Sequence, residues 1–198
     1  MKKILLILLV IIPGMLQAEW NVANEIKNDN SWGKHYFVPK ASITLLAATA
    51  LVTGNQTRFG KTVFQSIDAL LISTVATSTL KMAFGRVRPR AQGEYGGGDT
   101  WFEFGNKSFP SGHVASVASM VTPFILEYQD DYPMIHLLWA LPIHQMIGRY
   151  NANAHYKTDV AAGFAIGVLS GWVSTKIGIP ILLKLTDDGV YTGVTLKF

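Results

Sequence analysis

Apolar stretches of helical length run from about residue 41 to residue 176, and three polar clusters interrupt them. The first is Lys81, then six residues, then Arg88-Pro89, with Arg86 and Arg90 alongside. The second is Phe109-Pro110-Ser111-Gly112-His113. The third is Arg149, five residues, His155, three residues and Asp159. Each cluster falls at the end of an expected helix, next to an irregular segment. Such ends are where functional groups are gathered on a rigid scaffold.

Apolar periodicity and chain breakers give five helices. They cover about Ala41–Val52, Lys61–Phe84, Ser111–Tyr128, Met134–Gly148 and Tyr156–Lys176. Gly54-Asn55 ends the first, Asp130, Asp131 and Pro133 break the third, and Gly178 and Pro180 stop the fifth. A short sixth helix fits Val22 to Lys27. Residues 85–110, with Pro89, Gly96-Gly97-Gly98 and Pro110, read as one long irregular segment. A connection of that length in a compact domain is functional or disordered. Toward the end, Val190, Thr192, Val194, Leu196 and Phe198 alternate with Tyr191, Gly193, Thr195 and Lys197, the period of a strand. Asp188-Gly189 is a hairpin turn signal, with Ile181 to Thr186 as the partner strand. The expected fold is therefore all-α: a single bundle of about five to six core helices with a short C-terminal β-hairpin.

The beginning of the chain is different. Lys2 and Lys3 precede an unbroken apolar run, Ile4 to Ile12, then Pro13-Gly14 and Leu16-Gln17-Ala18. That is the layout of a secretory signal peptide over residues 1–18, which leaves one domain over residues 19–198. The alternative is an uncleaved first membrane helix, for which the run is short against the ~20 residues that spanning needs. Loss of the two lysines lowers the net charge from +4 to +2, and that near-neutral balance argues against nucleic acid as a partner. The chain has no cysteine, which excludes a disulfide scaffold, a thiolate nucleophile, a zinc–cysteine site and an iron–sulfur cluster.

The three clusters supply complementary chemistry. Lys81, Arg88 and Arg149 carry fixed positive charge, and the two arginines can grip oxyanions bidentately. Pro110-Ser111-Gly112-His113 opens a helix, whose free N–H groups and dipole favour an anion, and Gly112 allows close backbone approach. His155 and Asp159 are four apart and share one helical face. A carboxylate bonded to one ring nitrogen would fix the tautomer and leave the other nitrogen free to attack. His113 is a second imidazole able to protonate a leaving group. Together these groups make a phosphotransfer site that needs no metal. Arg86 and Arg90 are expected as solvated charges, and His136 and His144 as core or surface side chains.

The patterns K-x6-R-P, P-S-G-H and R-x5-H-x3-D, in this order over residues 81–159, resemble the type 2 phosphatidic acid phosphatase superfamily. That group also holds bacterial non-specific acid phosphatases and vanadium haloperoxidases. The resemblance implies a helical phosphatase that hydrolyses phosphate mono- or diphosphate esters, with no cofactor. It implies that Lys81, Arg88 and Arg149 bind phosphate oxygens, with hydrogen bonds from Ser111 and the Gly112 amide. His113 would be the general acid, and His155 would form a phosphohistidine, oriented by Asp159. One departure is Gly148, where the family usually has Ser before the arginine. Lipid phosphates of the phosphatidate, phosphatidylglycerophosphate or undecaprenyl diphosphate type are the expected substrates. The other readings are a soluble periplasmic acid phosphatase, a vanadium haloperoxidase, which the short chain disfavours, and an inactive lipid-binding protein.

Two arrangements compete. In one the helices form an exported periplasmic bundle resting on the inner membrane; in the other they are integral to it, with the site facing the periplasm. Short helices at Ala41–Val52 and Met134–Gly148 favour the first. The apolar Val160 to Val173 stretch favours the second. Either way a membrane surface or bilayer is an expected partner.

Overall fold

A computed structural model of the chain describes residues 37–53, 56–177, 184–186 and 189–191. The expected signal peptide over residues 1–18 and the short helix near Val22 lie outside the described residues.

Among the described residues five α-helices carry the fold, as expected from the periodicity. The first, α1, is Phe37–Thr53. It begins earlier than Ala41 because Pro39 falls in its first turn, where a missing N–H costs nothing. The second, α2, is Arg58–Phe84; Thr57 caps it, its Oγ1 accepting from the Gly60 N–H at 3.0 Å. At the other end Gly85 adopts the left-handed conformation (φ 45°) and its N–H donates to the Lys81 carbonyl at 3.1 Å. A Cβ at Gly85 would also sit 2.5 Å from the Glu103 carbonyl oxygen, so both conformation and space demand glycine. The third helix, α3, is Gly112–Tyr128, with Ser111 as its N-cap. The expected Met134–Gly148 helix is instead a 3-10 segment, Pro133–Trp139, followed by α4, Ala140–Asn151. None of residues 133–139 is buried, and Pro133 opens the 3-10 segment. The last helix, α5, is Lys157–Ile177.

Helix α3 sits at the centre, against α1, α2, α4 and α5. The approach of α5 is close because Gly163, Gly167 and Gly171 lie four apart on one face. A Cβ at any of them would run into α3: into the Ser111 carbonyl from Gly163, the Ala115 carbonyl at 2.5 Å from Gly167, and the Thr122 side chain from Gly171. This spacing brings two backbones together without side chains between them.

The interior is unusually rich in small hydroxyl side chains. Buried Ser66 donates to the Met120 carbonyl at 2.9 Å, Ser73 to Ser119 Oγ at 3.1 Å, and Thr122 to the Ala118 carbonyl at 2.7 Å. Several apolar side chains also face outward: Val52 is 86% exposed, Val75 68% and Leu169 60%. Both α2 and α5 are long and apolar enough to cross a membrane.

Near the end of the chain Lys184–Thr186 pairs antiparallel with Gly189–Tyr191, Leu185 opposite Val190. The expected hairpin from Ile181 to Phe198, packed on the helices, is not shown, since most of it lies outside the described residues.

Candidate active site

Four segments meet at the N-terminal end of α3. The Ser111 N–H donates to the Asp159 carbonyl at 2.9 Å, which joins the start of α3 to the start of α5. The Ser108 N–H donates to the Arg86 carbonyl at 3.0 Å, and the Arg90 N–H to the Asn153 carbonyl at 3.1 Å. The Lys81 ammonium donates to the carbonyls of Lys107 at 2.8 Å and Pro110 at 2.5 Å. All three polar clusters of the sequence are thereby held together.

The residues given a phosphate-binding or catalytic role above lie in or near this region. Arg149, Ser111, His113, His155 and Asp159 are buried, and Lys81 and Arg88 are half-buried. Lys81, Arg88 and Arg149 are close enough to act electrostatically on both His113 and His155. Gly112 lies against Lys81, whose Cε would be 3.7 Å from a Cβ at that position. The Ser111 hydroxyl is buried and has no hydrogen-bond partner. A buried hydroxyl of that kind is unusual and points to a polar group that binds there. Gly148, the departure from the resembling pattern, is buried beside Arg149.

The two imidazoles are desolvated and surrounded by cations, and both are held well below the usual imidazole range. Burial is the larger cause in each. The site therefore presents neutral rings, and for His155 that is the form with a lone pair to offer.

The tautomer of His155 is fixed differently from expectation. Its Nδ1 lies 2.7 Å from the Ser108 carbonyl oxygen. A carbonyl only accepts, so Nδ1 carries the proton and Nε2 the lone pair. The Asp159 carboxylate, expected to hold that proton, is 3.6 Å from Nδ1, too long for a hydrogen bond. Asp159 Oδ2 accepts instead from Ser108 Oγ at 2.6 Å and the Tyr156 N–H at 3.0 Å, while Oδ1 takes a short contact from Arg86.

Arg86 corrects the sequence reading. Expected as a solvated charge, it is 3% exposed and pairs with both Asp159 and Asp99. Ser108, Asp99 and Arg86 were all invisible as site residues because their partners are distant in sequence. The one signal was position, since Arg86 follows the helix-ending Gly85 directly. Arg90 is exposed, as expected, and so are His136 and His144. Among the described residues, no group of three or more His, Asp or Glu side chains is arranged to hold a metal ion.

This fold and site define a class. Residues 62–179 match the family model of the PAP2 superfamily, and the chain belongs to that superfamily. It is 35% identical over 140 residues to a lipid A 1-phosphatase of Rhizobium etli, covering 62% of this chain and 56% of that protein. A lipid A 1-phosphatase of Porphyromonas gingivalis is 27% identical over 129 residues, 63% of this chain and 26% of that one. The chain thus spans about half the length, or less, of these relatives. The crystal structure of Aquifex aeolicus LpxE superposes with a TM-score of 0.54 at 20% identity, over 81% of this chain and 94% of that one, and shares the fold.

Proposed function

We propose that the chain is an exported phosphatase of lipid phosphates that works at a bilayer surface through a phosphohistidine. The observation that carries this is the gathering of Lys81, Arg88 and Arg149 around two buried neutral histidines at the N-terminus of α3. A phosphate seated there meets three cations, the Ser111 hydroxyl and the Gly112 amide. His155 Nε2 attacks phosphorus, the bond to the leaving oxygen breaks, and His113 gives that oxygen its proton. The arriving dianion offsets the surrounding positive charge and lets His113 hold a proton. Water then attacks the phosphohistidine, with His113 as base, and inorganic phosphate leaves. The protein's cations neutralise the phosphoryl oxygens, so this sequence of steps calls for no metal.

A glycolipid phosphate of the lipid A 1-phosphate kind is the favoured substrate. The named relatives support it, and so does the outward display of apolar side chains. Phe102 and Phe104, 74% and 102% exposed, lie in the segment between Arg88 and Ser111, where an acyl chain or bilayer would meet them.

The test is a phosphate-release panel of lipid A, phosphatidate, phosphatidylglycerophosphate, undecaprenyl diphosphate and soluble monoesters, with wild-type protein and His155→Ala, with and without chelator. Turnover on lipid substrates, insensitive to chelator and lost by about 10³-fold or more in the variant, is expected. Full turnover by His155→Ala overturns the nucleophile. Reversible loss with chelator overturns the metal-free route.

A further inference from the structure

The Arg86 guanidinium is positioned on every side. It binds Asp99 through a two-pronged contact, Nε to Oδ1 at 2.8 Å and Nη2 to Oδ2 at 2.6 Å. Its Nη1 donates to Thr158 Oγ1 at 2.7 Å and to Asp159 Oδ1. Its faces are covered by two aromatic rings, with the guanidinium carbon 4.3 Å from the Trp101 centroid and 3.8 Å from that of Tyr156. The backbone carbonyl of the same residue accepts from Ser108, the residue whose own carbonyl holds His155.

None of these contacts is spent on a phosphate. The guanidinium binds the Asp159 carboxylate at Oδ1, whereas His155 lies nearest Oδ2. A planar fork stacked between rings fixes both the direction and the distance of a carboxylate, which an ammonium does not do. The anchor at the far end, Asp99, lies in the segment that follows Gly96-Gly97-Gly98 and is half-exposed on its side chain.

We propose that Arg86 is a positioning residue of the phosphotransfer reaction, braced by Asp99 and the Trp101–Tyr156 sandwich, which fixes where the Asp159 carboxylate holds its charge beside His155. This rests on the function proposed above. Arg86 itself touches no substrate. It acts through Asp159, so its effect belongs to kcat and to the protonation of His155 rather than to substrate affinity. The charged and titratable groups that face His155 are Asp159 from α5, Lys81 from α2, Arg149 from α4, His113 from α3, and Arg88. Removal of Arg86 leaves the Asp159 charge less neutralised, and His155 then binds a proton more readily.

The experiment compares wild type, Arg86→Gln, Arg86→Lys, Asp159→Asn and the double variant Arg86→Gln/Asp159→Asn. Melting temperature checks that each folds, and kinetics use the best ester of the panel. Arg86→Gln is expected to lower kcat by about 10²-fold with KM within about threefold, and to move the acid limb of kcat/KM to higher pH. Arg86→Lys recovers part of kcat. The double variant loses no more than the worse single variant, as two residues on one route must. Losses that multiply in the double variant, or a rise confined to KM, would overturn the proposal. A nitrogen-detected NMR titration of His155 in wild type and Arg86→Gln reads the same coupling without turnover. An unshifted titration overturns the role of Arg86, whereas a wild type inactive on every ester strikes the proposed function and leaves that titration to decide.

Discussion

His155 gives its Nδ1 proton to the backbone carbonyl of Ser108 at 2.7 Å, and Asp159 stands back at 3.6 Å. A carbonyl cannot be lost by side-chain substitution and cannot take the proton away. The imidazole therefore keeps its tautomer with or without the carboxylate, and Asp159 serves by its charge and by anchoring Ser108 Oγ, the Tyr156 N–H and Arg86.

A graded series of losses is the consequence. His155→Ala removes the nitrogen proposed to attack and is expected to cost about 10³-fold or more in kcat, while Asp159→Asn costs about 10- to 100-fold. Ser108→Ala keeps the carbonyl and loses only the bond to Asp159, so a loss of a few-fold is expected. Steady-state kinetics on one ester ranks them. An Asp159→Asn loss equal to that of His155→Ala would show that the carboxylate, not the carbonyl, fixes the ring.

Acid stability follows from the same two rings. Both folded-state values for His113 and His155 lie below the unfolded value of about 6.5. The unfolded chain then takes up protons that the native pocket refuses, so the contribution is full above about pH 6.5 and is lost progressively as pH falls below it. Melting temperature is expected to drop between pH 7.5 and 5.5, and to drop less in the double variant His113→Gln/His155→Asn. A wild type whose melting point holds or rises over that interval contradicts it.

The helices were legible because the apolar runs and their breakers, such as Gly54-Asn55 and Pro133, are local signals. The grouping of the residues proposed to bind phosphate was legible because their spacing is short-range within each cluster. Arg86 was not, for its meaning depends on Asp99 and Asp159, thirteen and seventy-three residues away. Charge alone does not tell a buried guanidinium from a solvated one. The splitting of the Met134–Gly148 stretch into 3-10 and α parts was equally hidden, since periodicity reports an apolar face whether or not the fold covers it.

The glycine face of α5 separates packing from chemistry. Gly163 opposes the Ser111 carbonyl at the head of the site, whereas Gly171 opposes Thr122 three turns away. An added methyl at either position overpacks the contact, at a cost of about 1–3 kcal/mol. Gly163→Ala should also displace Ser111 and lower kcat, while Gly171→Ala leaves the kcat of the folded fraction nearly unchanged. Thermal melts and kinetics on both variants check this. Equal kcat losses would mean that α3 shifts as a rigid whole.

The sorting of side chains makes a prediction about the solvent of the fold. Ser66, Ser73 and Ser119 are buried and bonded within the bundle, while Val75, Met82 and Leu169 point outward. In water that arrangement forfeits the burial of those outward side chains, each worth about 1.5–3 kcal/mol. In a bilayer the outward faces cost nothing, and the hydroxyls close the glycine-lined contacts. Membranes of cells that express the chain, washed with alkaline carbonate, should retain it in the pellet, and detergent should release it. Release by carbonate alone would mean a peripheral bundle. The exposed faces of α2 and α5 would then have to be covered by protein, and a purified oligomer of defined size in detergent-free buffer would be the sign of it.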